Sequence, residues 1–441
     1  MRSATTFRLT EGQERKFFFM HSYEQSTSPV FTCFFEPAVD AYSRSVRSYD
    51  CHVLPDLDFL EMGLCRVAGD ARTGRDFLQR HGDHGRADIS VDHFFKALKS
   101  PRRLANLRSV NALLAPAMAA RADDPFAAFP ELDGFALLAG DGHFHGAAVH
   151  DPVGTTSAGA PVKRATGHFF LLDLRTHRMD HLAHALKGGT RKAEHDMHAL
   201  KRTPFDALRG GTPKGTKVLL VWDRAGIDFD FWQKAKSTAG LYFLSREKEN
   251  MNLLVSGHRV FDRTDARNAG VVADQLVSPG SGGAMLRRII YIDPLEGIEY
   301  RYLTTETTLP PGLLVLLYKQ RWDIEKVFDQ TKNKLGETKS WASGETAKTT
   351  HALFLCLAHN LMVLLEERVL REDAVDNLPE RKRKEKRREE AVKRGANFVG
   401  TALQRFTVRS VKFVRWLRSF LYREAPWEHA VARLARAYAT F

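Results

Sequence analysis

Five polar side chains near residue 325 are spaced so that they can share one chemical task. On an α-helix that advances roughly 100° per residue, they fall within an arc of about 80°. They are Tyr318, Arg321, Glu325, Asp329 and Lys332. A carboxylate is an oxygen ligand for a divalent cation, whereas arginine, lysine and tyrosine donate hydrogen bonds to phosphate oxygens. The face is therefore typical of a site that holds a metal-bound phosphodiester, and an exposed helix with intrahelical salt bridges is the alternative.

Two aspartates follow apolar segments that we predict to be strands. Asp141 comes after residues 135–140, and Asp223 comes after residues 217–222. Open α/β sheets bind ligands at the carboxyl ends of their strands, so both carboxylates can meet Glu325 at one metal site. The alternative for either aspartate is a turn-forming role. Three nearby aspartates compete for the same assignment: Asp151, Asp173 and Asp180.

The elements that would position these residues belong to an α/β fold. Short apolar segments predict the strands of one sheet at residues 135–139, 168–174, 217–222 and 241–244. We expect crossover helices at residues 193–208 and 229–238. The sequence from 250 to 310 predicts an all-β insertion, because short alternating segments there are separated by Gly, Ser and Pro turns. Helices are expected again at residues 313–334 and 349–370.

The signature around Glu325 resembles that of DDE transposases of insertion sequence family four, the group marked by a Tyr-Arg-Glu-Lys motif. That motif has two residues between Tyr and Arg, three between Arg and Glu, and six between Glu and Lys. Tyr318, Arg321, Glu325 and Lys332 meet every spacing. The resemblance extends over residues 90–370.

Other parts of the chain add to the resemblance. The family places its first Asp at the end of the first core strand, as in Gly140-Asp141-Gly142, and its second in an Asp-x-(Gly/Ala) context, as in Asp223-Arg224-Ala225. The strand that ends at Arg246 is also similar, and the resemblance implies that this arginine approaches the DNA backbone. The all-β segment lies between the second Asp and the Glu, as in the family.

The resemblance implies a ribonuclease-H-like catalytic core. Asp141, Asp223 and Glu325 would hold two Mg²⁺ ions, with Mn²⁺ as a substitute, and Tyr318, Arg321, Lys332 and Arg246 would contact DNA. The implied activity is cleavage at the ends of a mobile element followed by strand transfer into target DNA. The implied partners are double-stranded DNA and a second copy of the chain, because joining two ends requires a dimer on DNA. A nuclease on the same core and an inactive DNA-binding descendant are the alternatives.

The charge of the chain is concentrated at one end. The net charge is +13, and residues 381–441 carry 17 Lys and Arg against 5 Asp and Glu. Such a segment is typical of polyanion binding, with a solvated basic helix as the alternative. We therefore predict three regions: a mainly helical N-terminal DNA-binding domain at 1–125, the catalytic domain at 126–375, and a basic helical C-terminal region at 376–441. Residues 411–422 fit either a DNA-contacting helix or a basic-rimmed core helix.

The remaining features exclude several classes of protein. The longest apolar stretch, residues 352–365, is too short to cross a bilayer, and no signal peptide is evident, so we expect a cytoplasmic protein. The four cysteines lie far apart, which argues against a disulfide framework. The pairs His181/His184 and His195/His198 have metal-ligand spacing, but no cysteine or carboxylate pattern completes a zinc site. Residues 210–217 lack the lysine and the following helix of a phosphate loop, so ATP dependence is not indicated.

Overall fold

The computed structural model describes residues 28–45, 51–71, 73–86, 89–155, 159–186, 194–402 and 411–439. These residues form a mixed α/β architecture with a large central sheet and helices towards both ends of the chain. Within these ranges no helix is both long enough and apolar enough to pass through a membrane.

Between residues 28 and 121, the described part of the chain forms six helices before the sheet, and hydroxyl side chains cap several of them. Ser28, Thr73, Ser90 and Ser100 each accept a hydrogen bond from a backbone N–H of the first turn, which has no partner within the helix. The apolar faces of these helices share one core with helices from the later part of the chain. The six are α1 Pro29–Arg44, α2 Asp56–Ala68, α3 Gly74–Asp83, α4 Val91–Ala97, α5 Pro101–Leu113 and α6 Ala115–Arg121.

Nine strands form the central sheet, and a two-stranded hairpin stands apart from it. The order across the large sheet is β5-β4-β1-β6-β7-β11-β10-β9-β8. The strands are β1 Phe135–His145, β2 Gly154–Thr155, β3 Pro161–Val162, β4 Thr166–Asp173, β5 Met179–His184, β6 Lys217–Val221, β7 Leu241–Arg246, β8 Leu253–His258, β9 Val271–Pro279, β10 Leu286–Ile292 and β11 Glu299–Thr304.

The first half of this sheet has a topology consistent with a ribonuclease-H-like fold. Strands β1, β4 and β5 form an antiparallel meander, whereas β6 and β7 run parallel to β1. Parallel neighbours need crossover connections. Helices α7 Asp196–Arg202 and α8 Phe205–Leu208 lie between β5 and β6, and α9 Phe229–Ala239 lies between β6 and β7.

The prediction of one continuous crossover helix over residues 193–208 is wrong, because the chain forms two helices there. The chain forms α7 and α8, separated by Thr203 and Pro204. Proline has no N–H to donate and disfavours helical geometry in the residue before it, so the helix ends at Arg202. The predicted first residue of that helix, Ala193, lies outside the described residues.

The segment predicted as an all-β insertion does contain β8 to β11, but these strands continue the central sheet. Strand β11 pairs antiparallel with β7, through Tyr302 opposite Arg246 and Thr304 opposite Leu244. Strands β10, β9 and β8 then follow as successive antiparallel neighbours. The strands of this segment are therefore anchored directly beside the core strand that ends at Arg246.

The helical structure predicted over residues 313–334 is confirmed except at Arg321, but the chain changes helical geometry twice. Helix α10 Pro311–Gln320 ends where Arg321 donates its N–H to the Tyr318 carbonyl, a three-residue turn, and α11 Trp322–Asp329 begins. After Asp329 the chain continues as a π-helical segment, Gln330–Lys334. Glu325 and Lys332 therefore do not lie on one regular α-helix.

The later helices cover the sheet and close the chain. The predicted helix at 349–370 is confirmed as part of α12 Glu345–Glu372, which is buried along most of its length. The charged residues 381–388 lie in α13 Leu378–Lys393, an exposed helix with no buried residue. The remaining helices are α14 Phe398–Thr401, α15 Val411–Phe420 and α16 Trp427–Ala439.

Candidate active site

The register of three neighbouring strands aligns the predicted site residues. Ala139 of β1 lies opposite Val221 of β6, and Val221 lies opposite Leu244 of β7. Asp141, Asp223 and Arg246 each lie two residues after one of these three residues in the sequence. Side chains alternate between the faces of a sheet, so residues two positions apart point to the same face.

That face of the sheet is covered by α10 and α11, the helices that carry Tyr318 and Glu325. Ala139, Val221 and Leu244 share a hydrophobic core with Ile324 and Val327 of α11. Asp141, Asp223 and Arg246 form a row across the three neighbouring strands, just beyond this core. Glu325 follows Ile324 on α11, so the helix brings it towards the end of the row. The three carboxylates therefore approach one region from two core strands and one helix, close enough for Asp223 and Glu325 to raise the pKa of Asp141.

Asp141 lies within β1 rather than after it. Strand β1 continues to His145 because β4 supplies an antiparallel partner, with Asp141 opposite Phe170. The Asp141 Oδ1 accepts a hydrogen bond of 2.8 Å from the N–H of Gly142. Burial raises the pKa of Asp141 to about 7; the Arg321 guanidinium and the Gly142 N–H oppose this increase, and the Asp223 and Glu325 carboxylates add to it.

Asp223 combines a turn with its place in the row. It caps the 3₁₀ turn Arg224–Gly226, and its Oδ1 accepts a hydrogen bond of 2.8 Å from the Ala225 N–H. The turn-forming role considered for this residue is therefore real. It uses one carboxylate oxygen and is compatible with a second role for the other.

Arg321 connects the first carboxylate to the third. Its Nη1 lies 3.3 Å from Asp141 Oδ2, and its Nη2 lies 2.7 Å from Glu325 Oε1. Arg321 is only 6% exposed, at the junction of α10 and α11. The buried guanidinium therefore balances two carboxylates, and the side chains of Asp141 and Glu325 are 18% and 32% exposed.

Aromatic rings line the neighbouring part of the row. The Tyr318 ring lies 5.6 Å from Arg321 Cζ and 5.1 Å from the centroid of Tyr302. Burial raises the pKa of the Tyr318 phenol, which keeps it a hydrogen-bond donor at neutral pH. Arg246 stacks on Tyr300, with Cζ 4.9 Å from the ring centroid. Tyr318 and Arg246 thus lie on the Asp223 side of the site.

Lys332 lies on the opposite side. It is exposed in the π-helical segment, and its charge adds to burial in lowering the pKa of His143 on β1 to about 4. His143 in turn stacks on Phe328, with ring centroids 4.7 Å apart. Arg246 and Lys332, two of the three cations predicted to contact phosphate, therefore flank the carboxylates, whereas the third, Arg321, lies between Asp141 and Glu325.

The three competing aspartates are engaged elsewhere. Asp151 pairs with Lys348 at 2.7 Å, and Asp180 pairs with Arg178 at 2.8 Å. Asp173 accepts hydrogen bonds from the backbone N–H groups of the turn that follows it. These contacts account for each residue without a metal site.

A packing feature beside the site was missed by sequence reasoning. The ring of Trp222 lies on Gly140, and the Trp222 Nε1 donates a 3.1 Å hydrogen bond to Asp196 of α7. Gly140 directly precedes Asp141, and Trp222 directly precedes Asp223. The glycine before Asp141 was visible in the sequence, but its contact with Trp222 depends on the pairing of β1 with β6.

A buried group of histidines lies on the same half of the sheet. His145 and His168 are each 1% exposed, their ring centroids are 5.5 Å apart, and His145 also lies 5.2 Å from His351 of α12. His168 Nδ1 lies 3.0 Å from His181 Nε2. Burial lowers the pKa of both His145 and His168 well below the usual range, so these rings are neutral. Across the described ranges, no three His, Cys, Asp or Glu side chains, those of Asp141, Asp223 and Glu325 included, are arranged to hold a metal ion.

The ambiguous segment at 411–422 contains a core helix. Phe413, Trp416 and Phe420 of α15 are buried, whereas Arg415 is exposed. Arg418 donates hydrogen bonds to the carbonyls of Ala68 and Leu335. Among the described residues of the C-terminal region, α13 carries the largest group of exposed cations.

Comparison with known proteins bears on this geometry. Residues 167–361 match the family model described as "Transposase DDE domain", a span that includes Asp223 and Glu325 and begins after Asp141. No curated protein matches the chain significantly. The match supports a DDE transposase, a class that binds DNA and generally uses divalent metal ions.

Proposed function

We propose that this protein is a transposase that cleaves DNA at the ends of a mobile element and transfers the strands into target DNA. The observation that carries the proposal is the shared row of Asp141 and Asp223, which faces the helix of Glu325. The match to the transposase DDE domain supports the same class. The closer assignment, to insertion sequence family four, rests on the spacing from Tyr318 to Lys332.

Asp141, Asp223 and Glu325 would hold two Mg²⁺ ions, for which Mn²⁺ can substitute. The donor set fits, since hard divalent cations prefer carboxylate oxygens. Asp141 also has a raised pKa in a shielded site beside two other carboxylates, a situation that a nearby cation would relieve. When bound, such ions activate the attacking hydroxyl and stabilise the leaving oxygen in phosphodiester chemistry.

The protein's own residues would orient the reacting groups. Backbone N–H groups hold Oδ1 of both Asp141 and Asp223, which fixes the direction of each second oxygen. Arg246, Lys332 and Tyr318 would donate to phosphate oxygens on either side of the scissile bond, and Arg321 would do so with its planar fork. Positioning of the DNA end thus falls to the cations and tyrosine, and metal binding to the carboxylates.

The rest of the chain would bind the substrate and a second protomer. We assign residues 1–125 to DNA binding, 126–375 to catalysis, and 376–441 to a basic region whose exposed helix α13 faces DNA. A homodimer would be needed to hold two element ends together.

Two assays separate this function from its alternatives. Incubation with Mg²⁺ and a duplex carrying the inverted repeats that flank the gene should give nicks at the repeat ends and joined strand-transfer products. Cleavage without joining would indicate a nuclease. Specific binding without any cleavage in Mg²⁺ or Mn²⁺ would indicate a DNA-binding descendant.

A further inference from the structure

The Arg321 guanidinium uses the carboxylate oxygens that the proposed metal site needs. Oδ1 of Asp141 is already bound to the Gly142 N–H, so Oδ2 is the oxygen not held by that backbone group. Arg321 contacts this Oδ2 with Nη1 and Glu325 Oε1 with Nη2. A cation coordinated by both of these oxygens would have to compete with Arg321 for them.

The position of Arg321 is built into the fold. Its backbone forms the turn between α10 and α11, its side chain is 6% exposed, and the Tyr318 ring packs beside it. The two carboxylates belong to different elements, β1 and α11, so the guanidinium also ties the helix to the strand. Charge-assisted pairs of this kind are stronger in a shielded site than at the surface.

We propose that Arg321 is an internal competitor for divalent cations at Asp141 and Glu325, which limits metal loading until DNA is bound. This inference rests on the proposed function of the three carboxylates. A DNA phosphate offers the guanidinium two acceptor oxygens in the geometry it prefers. A phosphate that draws Arg321 away would leave both carboxylates available, so DNA and metal would bind with positive coupling.

The test is Mn²⁺ affinity of the full-length protein, measured from the electron paramagnetic resonance signal of free Mn²⁺ at pH 8. The variants are Arg321→Ala, Arg321→Lys and Arg246→Ala. Arg246 is the matched control because it lies next to Asp223 in the same row and its replacement removes the same charge. Thermal unfolding checks that each variant is folded.

We expect Arg321→Ala to bind Mn²⁺ about fivefold more tightly or better, within the usual range of coupling between sites. Arg321→Lys, which keeps the charge but lacks the planar fork, should show a smaller gain, and Arg246→Ala should stay within about twofold of the wild type. An unchanged or weaker affinity in both Arg321 variants would overturn the proposal. An equal gain in Arg246→Ala would overturn it too, since net charge alone would then explain the effect.

A second arm adds a pre-cut duplex carrying the flanking inverted repeat. DNA should raise the Mn²⁺ affinity of the wild type about fivefold or more and leave that of Arg321→Ala nearly unchanged. A similar increase in both proteins would show that DNA acts without Arg321. If the proposed metal site itself is wrong, a different result is expected. Asp223→Asn and Glu325→Gln would then bind Mn²⁺ with the same affinity as the wild type.

Discussion

The Trp222 ring lies so close to Gly140 that a methyl group on Gly140 would come within 2.1 Å of Trp222 Cζ3. Trp222 directly follows β6 and precedes Asp223, and Gly140 lies in the adjacent parallel strand β1 and precedes Asp141. The contact therefore requires glycine at position 140, directly before Asp141.

Gly140→Ala should disturb both the fold and the site. The buried Trp222 ring has to shift to admit the methyl group, and overpacking of this kind costs about 1–3 kcal/mol in the free energy of unfolding. Urea unfolding measures this decrease. The matched control is Gly134→Ala, because no atom lies within 4 Å of the position its methyl group would take. Equal stability of the two variants would show that the ring packing is looser than described.

The buried histidines should make the protein less stable as the pH falls. Burial keeps His145 and His168 neutral in the folded state, with pKa values well below 6.5, whereas the unfolded chain takes up protons near pH 6.5. The unfolded state then binds more protons, so stability is lost as the pH falls from about 7 towards 5. The raised pKa values of Asp141, about 7, and Asp180, about 6, act in the opposite direction.

A comparison with His168→Asn isolates the histidine contribution. Between pH 7 and pH 5, the unfolding free energy of the variant should decrease less steeply than that of the wild type. The difference between the two slopes should be at most about 1.4 kcal/mol for each pH unit. The measurement is the urea unfolding free energy at several pH values, with the exposed His150→Asn as control. A slope in His168→Asn identical to that of the wild type would mean that the pKa of His168 does not differ between the folded and unfolded states.

The exposed helix α13 should supply part of the salt dependence of DNA binding. Lys382, Lys386 and Arg387 are exposed on it, so their replacement by glutamine should leave up to three phosphates without a cationic partner. The slope of log affinity against log salt should then decrease by about 0.9 for each of these phosphates, or by up to about 2.7 in all. Fluorescence anisotropy at several salt concentrations measures this slope.

A matched triple variant distinguishes a local DNA-binding role from net charge. Its three exposed cations lie outside α13 and are likewise replaced by glutamine: Lys214, Lys234 and Arg263. The same decrease in both triple variants would argue against a DNA-binding role specific to α13. Deletion of the whole region is a poorer test, because α15 and α16 contribute buried residues to the core shared with the N-terminal helices.

Local sequence signals were sufficient for much of this account. The apolar segment before Asp223 and the spacing from Tyr318 to Glu325 depend on short stretches of chain. The strands predicted at 135–139, 168–174, 217–222 and 241–244 overlap β1, β4, β6 and β7, although β1 continues to His145. Apolar periodicity also located the long buried helix α12.

The features that escaped prediction depend on distant pairing. Strand β1 continues past Asp141 because β4 pairs with it, and no pattern near Asp141 reveals that partner. The break at Arg321 has no proline or glycine to mark it in the sequence. The contact of Arg321 with Asp141 joins residues 180 positions apart, and it exists only after α11 has packed on the sheet.

The most direct test of the central claim is single-turnover cleavage of a duplex carrying the flanking inverted repeats, in Mg²⁺, by Asp141→Asn, Asp223→Asn and Glu325→Gln. Both asparagines keep an oxygen that can accept the backbone N–H bonded to the native Oδ1. The fold and DNA affinity should therefore survive, while cleavage falls at least about a hundredfold in each variant. Near-normal cleavage by any of the three would contradict its place in the site, and near-normal cleavage by all three would contradict the account.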